Sequence, residues 1–178
     1  MTPFNINGFI GQFTGDGYRP NLFDIFVTGP VFPSETRYKA KATSVPSSSI
    51  GSARVSYFGR AAKLAGNRRY NTHDITFIMD EDDFQLVGTR GAFQSWMNKI
   101  NKHEGNYREL TQPSTAGYMG TINIFPYKKN QASITQYSLQ YAFPISISPI
   151  VLDWGQNDRI AEFTVTFAYQ YWIQLSAG

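Results

Sequence analysis

The stretch from Ile160 to Ile173 constrains the fold most. Phe163, Val165, Phe167, Tyr169 and Tyr171 alternate with Glu162, Thr164, Thr166, Ala168 and Gln170. A period of two places successive side chains on opposite faces of a strand, so this segment reads as a strand with one buried and one polar face. Aromatic residues make up 16% of the 178-residue chain, and they favour pleated, half-buried surfaces.

Other segments read the same way. Leu22 to Val27 is a short apolar strand, stopped by Thr28-Gly29-Pro30. Arg37 to Thr43 alternates, with Arg37, Lys39 and Lys41 on one side and Tyr38, Ala40 and Ala42 on the other. Ile50 to Ala65 reads as a hairpin turning at Gly59-Arg60 in a type II′ geometry. Its arms hold few large apolar residues, and an isolated hairpin is marginal in water, so it needs a surface to lie against. Thr72 to Met79, Tyr118 to Phe125, Ser133 to Phe143 and Ile145 to Leu152 complete about eight strands. One helix is expected at about 83–102. Asp80, Glu81, Asp82 and Asp83 suit its positive end, and Leu86, Phe93, Trp96, Met97 and Ile100 share a face. Residues 1–18, rich in Gly and Asn, read as an irregular arm, and residues 19–178 as a single domain with a protruding hairpin arm at about 44–70.

Charge is unevenly distributed. Residues 36–73 carry Arg37, Lys39, Lys41, Arg54, Arg60, Lys63, Arg68 and Arg69 with no acid, a local charge of +8 in a chain whose net charge is +3. The run Asp80 to Asp83 follows soon after. Such asymmetry fits a polyanionic partner, a second copy with the complementary patch, or two solvated faces.

Catalytic constellations are missing from the sequence. With no cysteine, disulfides, thiolate metal sites and a Cys nucleophile are excluded. His73 and His103 stand without metal-ligand spacing, and Asp80 to Asp83 lacks the calcium-loop pattern. No nucleophile elbow or phosphate-binding glycine loop is present. The chain is expected to need no cofactor and not to be an enzyme. No apolar run reaches membrane-spanning length and no secretory signal is visible, so no membrane insertion is expected. The segment Arg54 to Arg60 mixes bases and aromatics but carries no RNA-binding signature.

An ordered set of strings carries a resemblance. Arg19-Pro20-Asn21-Leu22-Phe23 opens the first strand and Lys41-Ala42-Thr43 precedes a Pro-containing loop. Ala65-Gly66-Asn67-Arg68 ends the hairpin, and Met79-Asp80-Glu81 precedes the helix. Leu152-Asp153-Trp154 comes before the last turn, and Phe163-Thr164-Val165-Thr166-Phe167 runs on to Tyr171-Trp172. In order and spacing these resemble the tail tube family of contractile-tailed bacteriophages over Arg19 to Trp172.

That resemblance implies a mainly β fold, an antiparallel β-sandwich or barrel with one flanking α-helix. It further implies hexameric rings stacked helically into a hollow conduit inside a contractile sheath. DNA would pass through the lumen without specific binding. Partners would be the sheath, the baseplate hub and the tail terminator, and the location the virion tail after assembly in the host cytoplasm. The hairpin is then the arm that meets the adjacent ring. Charge complementarity, and not the resemblance, suggests that this arm, with Arg54, Tyr57, Phe58, Arg60 and Lys63, meets Asp80, Glu81, Asp82 and Asp83 of a neighbour. The lumen should be acidic or neutral-polar, because cations that neutralise phosphates would hold DNA. Thr135, Gln136, Ser138, Gln140, Ser146 and Ser148 are uncharged candidates for it, and a lumen lined by Arg37, Lys39 and Lys41 would contradict it. Alternative readings are the tube of a phage-derived contractile injection system, a tube-like baseplate protein, and a carbohydrate-binding β-sandwich using Tyr118, Tyr137 and Tyr141.

Overall fold

A computed structural model describes residues 5–13, 17–31, 39–85 and 88–176. The strands are β1 (Phe23–Thr28), β2 (Ala40–Thr43), β3 (Ser49–Tyr57), β4 (Arg60–Arg69), β5 (His73–Ile78), β6 (Gly120–Pro126), β7 (Thr135–Ile147), β8 (Glu162–Ala168) and β9 (Tyr171–Ser176). Helix α1 is Ile6–Ile10 and α2 is Thr89–Ile100.

Seven strands form one antiparallel sheet in the order β1-β6-β7-β8-β5-β2, with β9 added to β7. The long strand β7 is the fold line. Its first half pairs with β6 and β9, and its second half pairs with β8. Between the halves, Tyr141 has φ 56°, a left-handed conformation, and the register with β6 slips there. A bulge of this kind bends the strand and lets one sheet become two layers.

The faces turned inward make the core. Ile25 and Val27 of β1, Ile122 and Ile124 of β6 and Leu139 of β7 meet Ile75 and Phe77 of β5 and Phe163, Val165 and Phe167 of β8. Helix α2 adds Phe93 and Trp96 to this core, both fully buried. Phe93 packs on Phe77 with ring centroids 5.1 Å apart. The antiparallel β-sandwich with one flanking helix is therefore the observed architecture.

The structure redraws several elements. Ser133 to Phe143 and Ile145 to Leu152 are not two strands: β7 runs through Pro144 to Ile147, with the register shift next to Pro144 absorbing the missing N–H. The strand expected from Ile160 to Ile173 is two, β8 and β9. Gln170 breaks it, donating its N–H to the carbonyl of Gln140. Helix α2 starts at Thr89, later than the expected 83. Glu81–Phe84 is instead a separate 3-10 turn capped by Asp80. Residues 1–18 were expected to be irregular, yet α1 lies among them, capped by Asn5 and with no buried residue. Arg37, Tyr38 and Leu86 lie outside the described residues.

Strands β3 and β4 form a two-stranded sheet of their own. They turn at Phe58-Gly59, not Gly59-Arg60: Tyr57 pairs with Arg60, and Phe58 and Gly59 have φ 44° and 75°. Two successive left-handed residues make a type I′ turn, whose twist matches that of the strands.

Candidate assembly surfaces

The register of the hairpin sorts its side chains. Ser52, Arg54 and Ser56 oppose Ala65, Lys63 and Ala61, while Ala53, Val55 and Tyr57 oppose Leu64, Ala62 and Arg60. With alternating directions, one face carries Arg54 and Lys63 and the other carries Val55, Tyr57, Leu64 and Arg60. Arg54 and Lys63 stand directly opposite, a like-charge pair that weakens a sheet. Tyr57 and Phe58 meet edge to face at 4.5 Å at the tip, and Phe58 is 90% exposed. All of β4 is exposed. Of the residues expected at a contact, Arg54, Tyr57, Phe58, Arg60 and Lys63 thus share one exposed two-stranded element.

The acidic run divides. The Asp80 carboxylate accepts the N–H of Glu81, and Asp82 accepts from the Gln85 amide. Asp80, Glu81 and Asp82 are exposed. Asp83 is only 1% exposed, which corrects its assignment to a surface patch. Its carboxylate accepts the N–H groups of Asp80 and Thr89 and the Lys39 ammonium, the last at 2.9 Å to both oxygens. Burial pushes the Asp83 pKa up, but the Asp80 N–H, the Lys39 ammonium and the Thr89 N–H outweigh it and hold the group below its ordinary value. Lys41 is likewise engaged, by Glu162. Among the described residues the unengaged part of the basic segment is therefore Arg54, Arg60, Lys63, Arg68 and Arg69 of the hairpin, none of which forms an ion pair with another described residue.

The sheet places these two surfaces at opposite ends. In the β5–β8 ladder His73 faces Phe167 and Ile78 faces Glu162. The hairpin leaves the sheet at the His73 end, directly before β5. The Asp80 turn follows Ile78 at the other end, where Met79 donates its N–H to the carbonyl of Ala161. The ladder between them spans about 17 Å at strand rise.

The hairpin end is tied down by His73 and Ser47. His73 is buried and hydrogen-bonds Thr43 Oγ1 at 2.9 Å. Burial lowers its pKa to about 4, partly opposed by the Asp74 charge. Trp172 donates its indole N–H to the carbonyl of Ser47.

The acidic-turn end also carries the loop 148–161, since β7 ends at Ile147 and not at the expected Leu152. Ser148 anchors it. Its N–H reaches the Thr164 carbonyl, its hydroxyl accepts the Thr164 N–H, and its carbonyl accepts from Arg90. Beyond this anchor Val151, Leu152 and Ile160 are exposed and Trp154 is fully exposed. Leu152-Asp153-Trp154 could have flagged this surface, since large apolar residues beside a turn are unusual in solvent.

Among the described residues, the outward sheet faces are mainly uncharged and polar, with Lys41 paired to Glu162. On one layer Gln136 and Ser138 donate to the Asn123 side-chain oxygen and Gln140 donates to Ser138. On the other, Thr76 and Thr164 are hydrogen-bonded at 3.0 Å beside Thr166 and Ser146. Thr135 and Ser148 of the expected set serve structural hydrogen bonds. Tyr118, Tyr137 and Tyr141 are spent on Phe143, Trp172 and Tyr171 of the same chain and do not form one open platform.

Comparison with known proteins bears on the family and the fold. The family model for phage tail tube protein matches residues 19–175. Tail tube protein gp19 of Enterobacteria phage T4 is 27% identical over 160 residues, 89% of this chain and 93% of that protein. The tail tube protein of Serratia phage KSP90 is 25% identical over 172 residues, 92% of this chain and 93% of that one. A chain from the anti-feeding prophage baseplate superposes with a TM-score of 0.67 at 17% identity, covering 90% of this chain and 97% of its own. A chain from the PVC sheath–tube complex in the extended state superposes with 0.63 at 15% identity, covering 97% and 99%. Those two likenesses are of fold. With a family model matched across both strand layers, the hairpin and the helix, this chain belongs to the phage tail tube protein family.

Proposed function

We propose that copies of this chain close into hexameric rings that stack into the tube of a contractile phage tail, with the β3–β4 hairpin carrying the ring-to-ring contact. The observation that carries this is the placement of a cationic hairpin and an acidic turn at opposite ends of one sheet. A surface at one end that complements a surface at the other makes a heterologous contact, and repetition of such contacts builds filaments. Arg54, Arg60 and Lys63 of one subunit meet Asp80, Glu81 and Asp82 of the next.

The conduit role follows from where cations are absent. Thr76, Thr164, Thr166 and Ser146 offer a polar surface without phosphate-binding groups, and Lys41 is engaged by Glu162. A lumen lined this way lets DNA pass without holding it. The sheath, baseplate hub and tail terminator are the partners of such a tube, which sits in the virion tail after assembly in the host cytoplasm.

Negative-stain microscopy tests the reading. The purified protein is expected to form rings or hollow tubes, and a strict monomer at high concentration, even with an initiating baseplate supplied, would overturn it. Reversing charge with Arg60→Glu and Lys63→Glu is expected to weaken stacking and make it more salt-sensitive. Normal tubes from that variant would remove the electrostatic part.

A further inference from the structure

We infer that the aromatic tip of the hairpin, Tyr57 and Phe58, seats in the hollow formed by the loop 149–161 of a second copy. This rests on the stacking proposed above and names its receptor. The hollow has a volume of about 560 Å³, and its walls combine Val151, Leu152, Trp154 and Ile160 with the charged Asp153, Arg159 and Glu162. That size lies in the range which buries a compact organic group.

Three observations point from the tip to the hollow. Phe58 is a bulky residue held at φ 44°, in the left-handed region that disfavours a side chain of its kind. An Asn or Gly would serve a type I′ turn without that cost, so the ring is kept for what it touches. Both surfaces are otherwise exposed to water: Tyr57 is 72% exposed and Trp154 100%. The hollow also lies at the Glu162 end of the β5–β8 ladder, the hairpin at the His73 end. No hairpin residue lines the hollow of its own subunit and Phe58 is 90% exposed there, so the tip leaves its own hollow open to a copy displaced along the strands.

Charge selects the second copy as occupant. The hairpin carries Arg54, Arg60 and Lys63 with no acid. The receptor end carries Asp153 and Asp158 on the loop with Asp80, Glu81 and Asp82 on the adjoining turn, against Arg159 on the loop, Arg90 at its Ser148 anchor and Lys39, which lies 3.9 Å from Asp80, so acids remain in excess there. An apolar tip with a basic flank therefore meets a partly apolar hollow with an acidic rim, the arrangement of an interface with an aromatic anchor.

The cysteine-free chain allows a direct test. Phe58→Cys protein and Leu152→Cys protein are mixed, assembled, and treated with a short bis-maleimide. Covalent dimers are expected from the mixture and not from either variant alone. Tubes without dimers in the mixture would overturn the seat while leaving the tail tube reading standing. Failure of the wild-type chain to form rings or tubes would overturn both. Leu152→Asp gives a second measurement, since Leu152 is exposed and the subunit should fold with an unchanged melting temperature. At least a tenfold loss of tube yield is expected, and normal tubes from this variant would overturn the proposal.

Discussion

Lys39 and Asp83 form the most enclosed ion pair described in the molecule, the ammonium lying 2.9 Å from both carboxylate oxygens. The pair joins the residue preceding β2 to the turn preceding α2, 44 positions later in sequence. Removing one partner of such a pair leaves the other charge buried without compensation. Asp83→Ala also strips the N–H groups of Asp80 and Thr89 of their acceptor, so a loss of about 3–5 kcal/mol is expected in urea unfolding of the unassembled subunit. Lys39→Met leaves the fully buried Asp83 carboxylate with only the Asp80 and Thr89 N–H groups as partners, so a comparable loss of about 3–5 kcal/mol is expected. The double variant Lys39→Met/Asp83→Asn should cost less than the sum of its singles.

His73 sets the acid side of the stability curve. The unfolded chain takes up this proton near the ordinary 6.5 and the folded chain only near about 4. Between those values the unfolded state binds more protons, so stability falls as pH drops from about 6.5 to about 4 and this contribution is flat outside that window. The full loss is about 3 kcal/mol. Asp83 adds a second loss at lower pH: its depressed pKa contributes stability above the ordinary 3.8, which disappears as pH falls through the folded value. Urea midpoints of the unassembled subunit at pH 7, 5.5 and 4 are expected to fall steadily. A His73→Gln variant should show little slope over that range.

Trp96 sits where α2 meets β6. A Cβ built on Gly120 would lie 2.7 Å from Cη2 of its ring and 2.0 Å from the carbonyl oxygen of Thr28. The indole N–H is bound by the Tyr118 carbonyl at 2.7 Å. Trp96→Ala is expected to cost about 3–5 kcal/mol and Gly120→Ala about 1–3 kcal/mol. In Trp96→Phe the smaller ring leaves space beside Gly120, so the double variant Trp96→Phe/Gly120→Ala should be less destabilised than the two singles added together. Additive costs in chemical denaturation would show that the clash is with the Thr28 backbone alone.

The sequence made β8 legible because the alternation of Phe163, Val165 and Phe167 is a local property. It hid the end of β8, since Tyr169 and Tyr171 continue the same phase while the pairing partner changes from one half of β7 to the other. The acidic run signalled a helix start, and a helix is near. Yet Gly88 lies so close to the backbone of Asp83 that an added Cβ would come within 2.4 Å of its Cα, and the 3-10 turn folds back there before α2 begins. Asp83 reads as one exposed acid among four because its partner, Lys39, is brought to it only by the pairing of β2 with β5. The hairpin was readable as a separate, solvent-exposed pair of strands from its scarcity of large apolar residues. Its receptor was not, because Val151, Leu152 and Ile160 look in sequence like strand residues, and only the folded chain leaves them in water.

Phe58 offers a way to separate folding from assembly. Its left-handed backbone is one that Asn adopts readily, and Asn-Gly is the preferred pair for a type I′ turn. Phe58→Asn is therefore expected to leave the subunit as stable as the parent, with the hairpin itself favoured by about 1 kcal/mol. The same change removes the exposed ring from the tip. Hydrogen exchange should show β3 and β4 amides protected at least as well as in the parent, while microscopy shows few or no tubes. A variant that keeps its hairpin and still assembles normally would mean that the strained aromatic turn contributes nothing to the contact between copies. A variant that loses its hairpin would instead place the role of Phe58 in the turn itself.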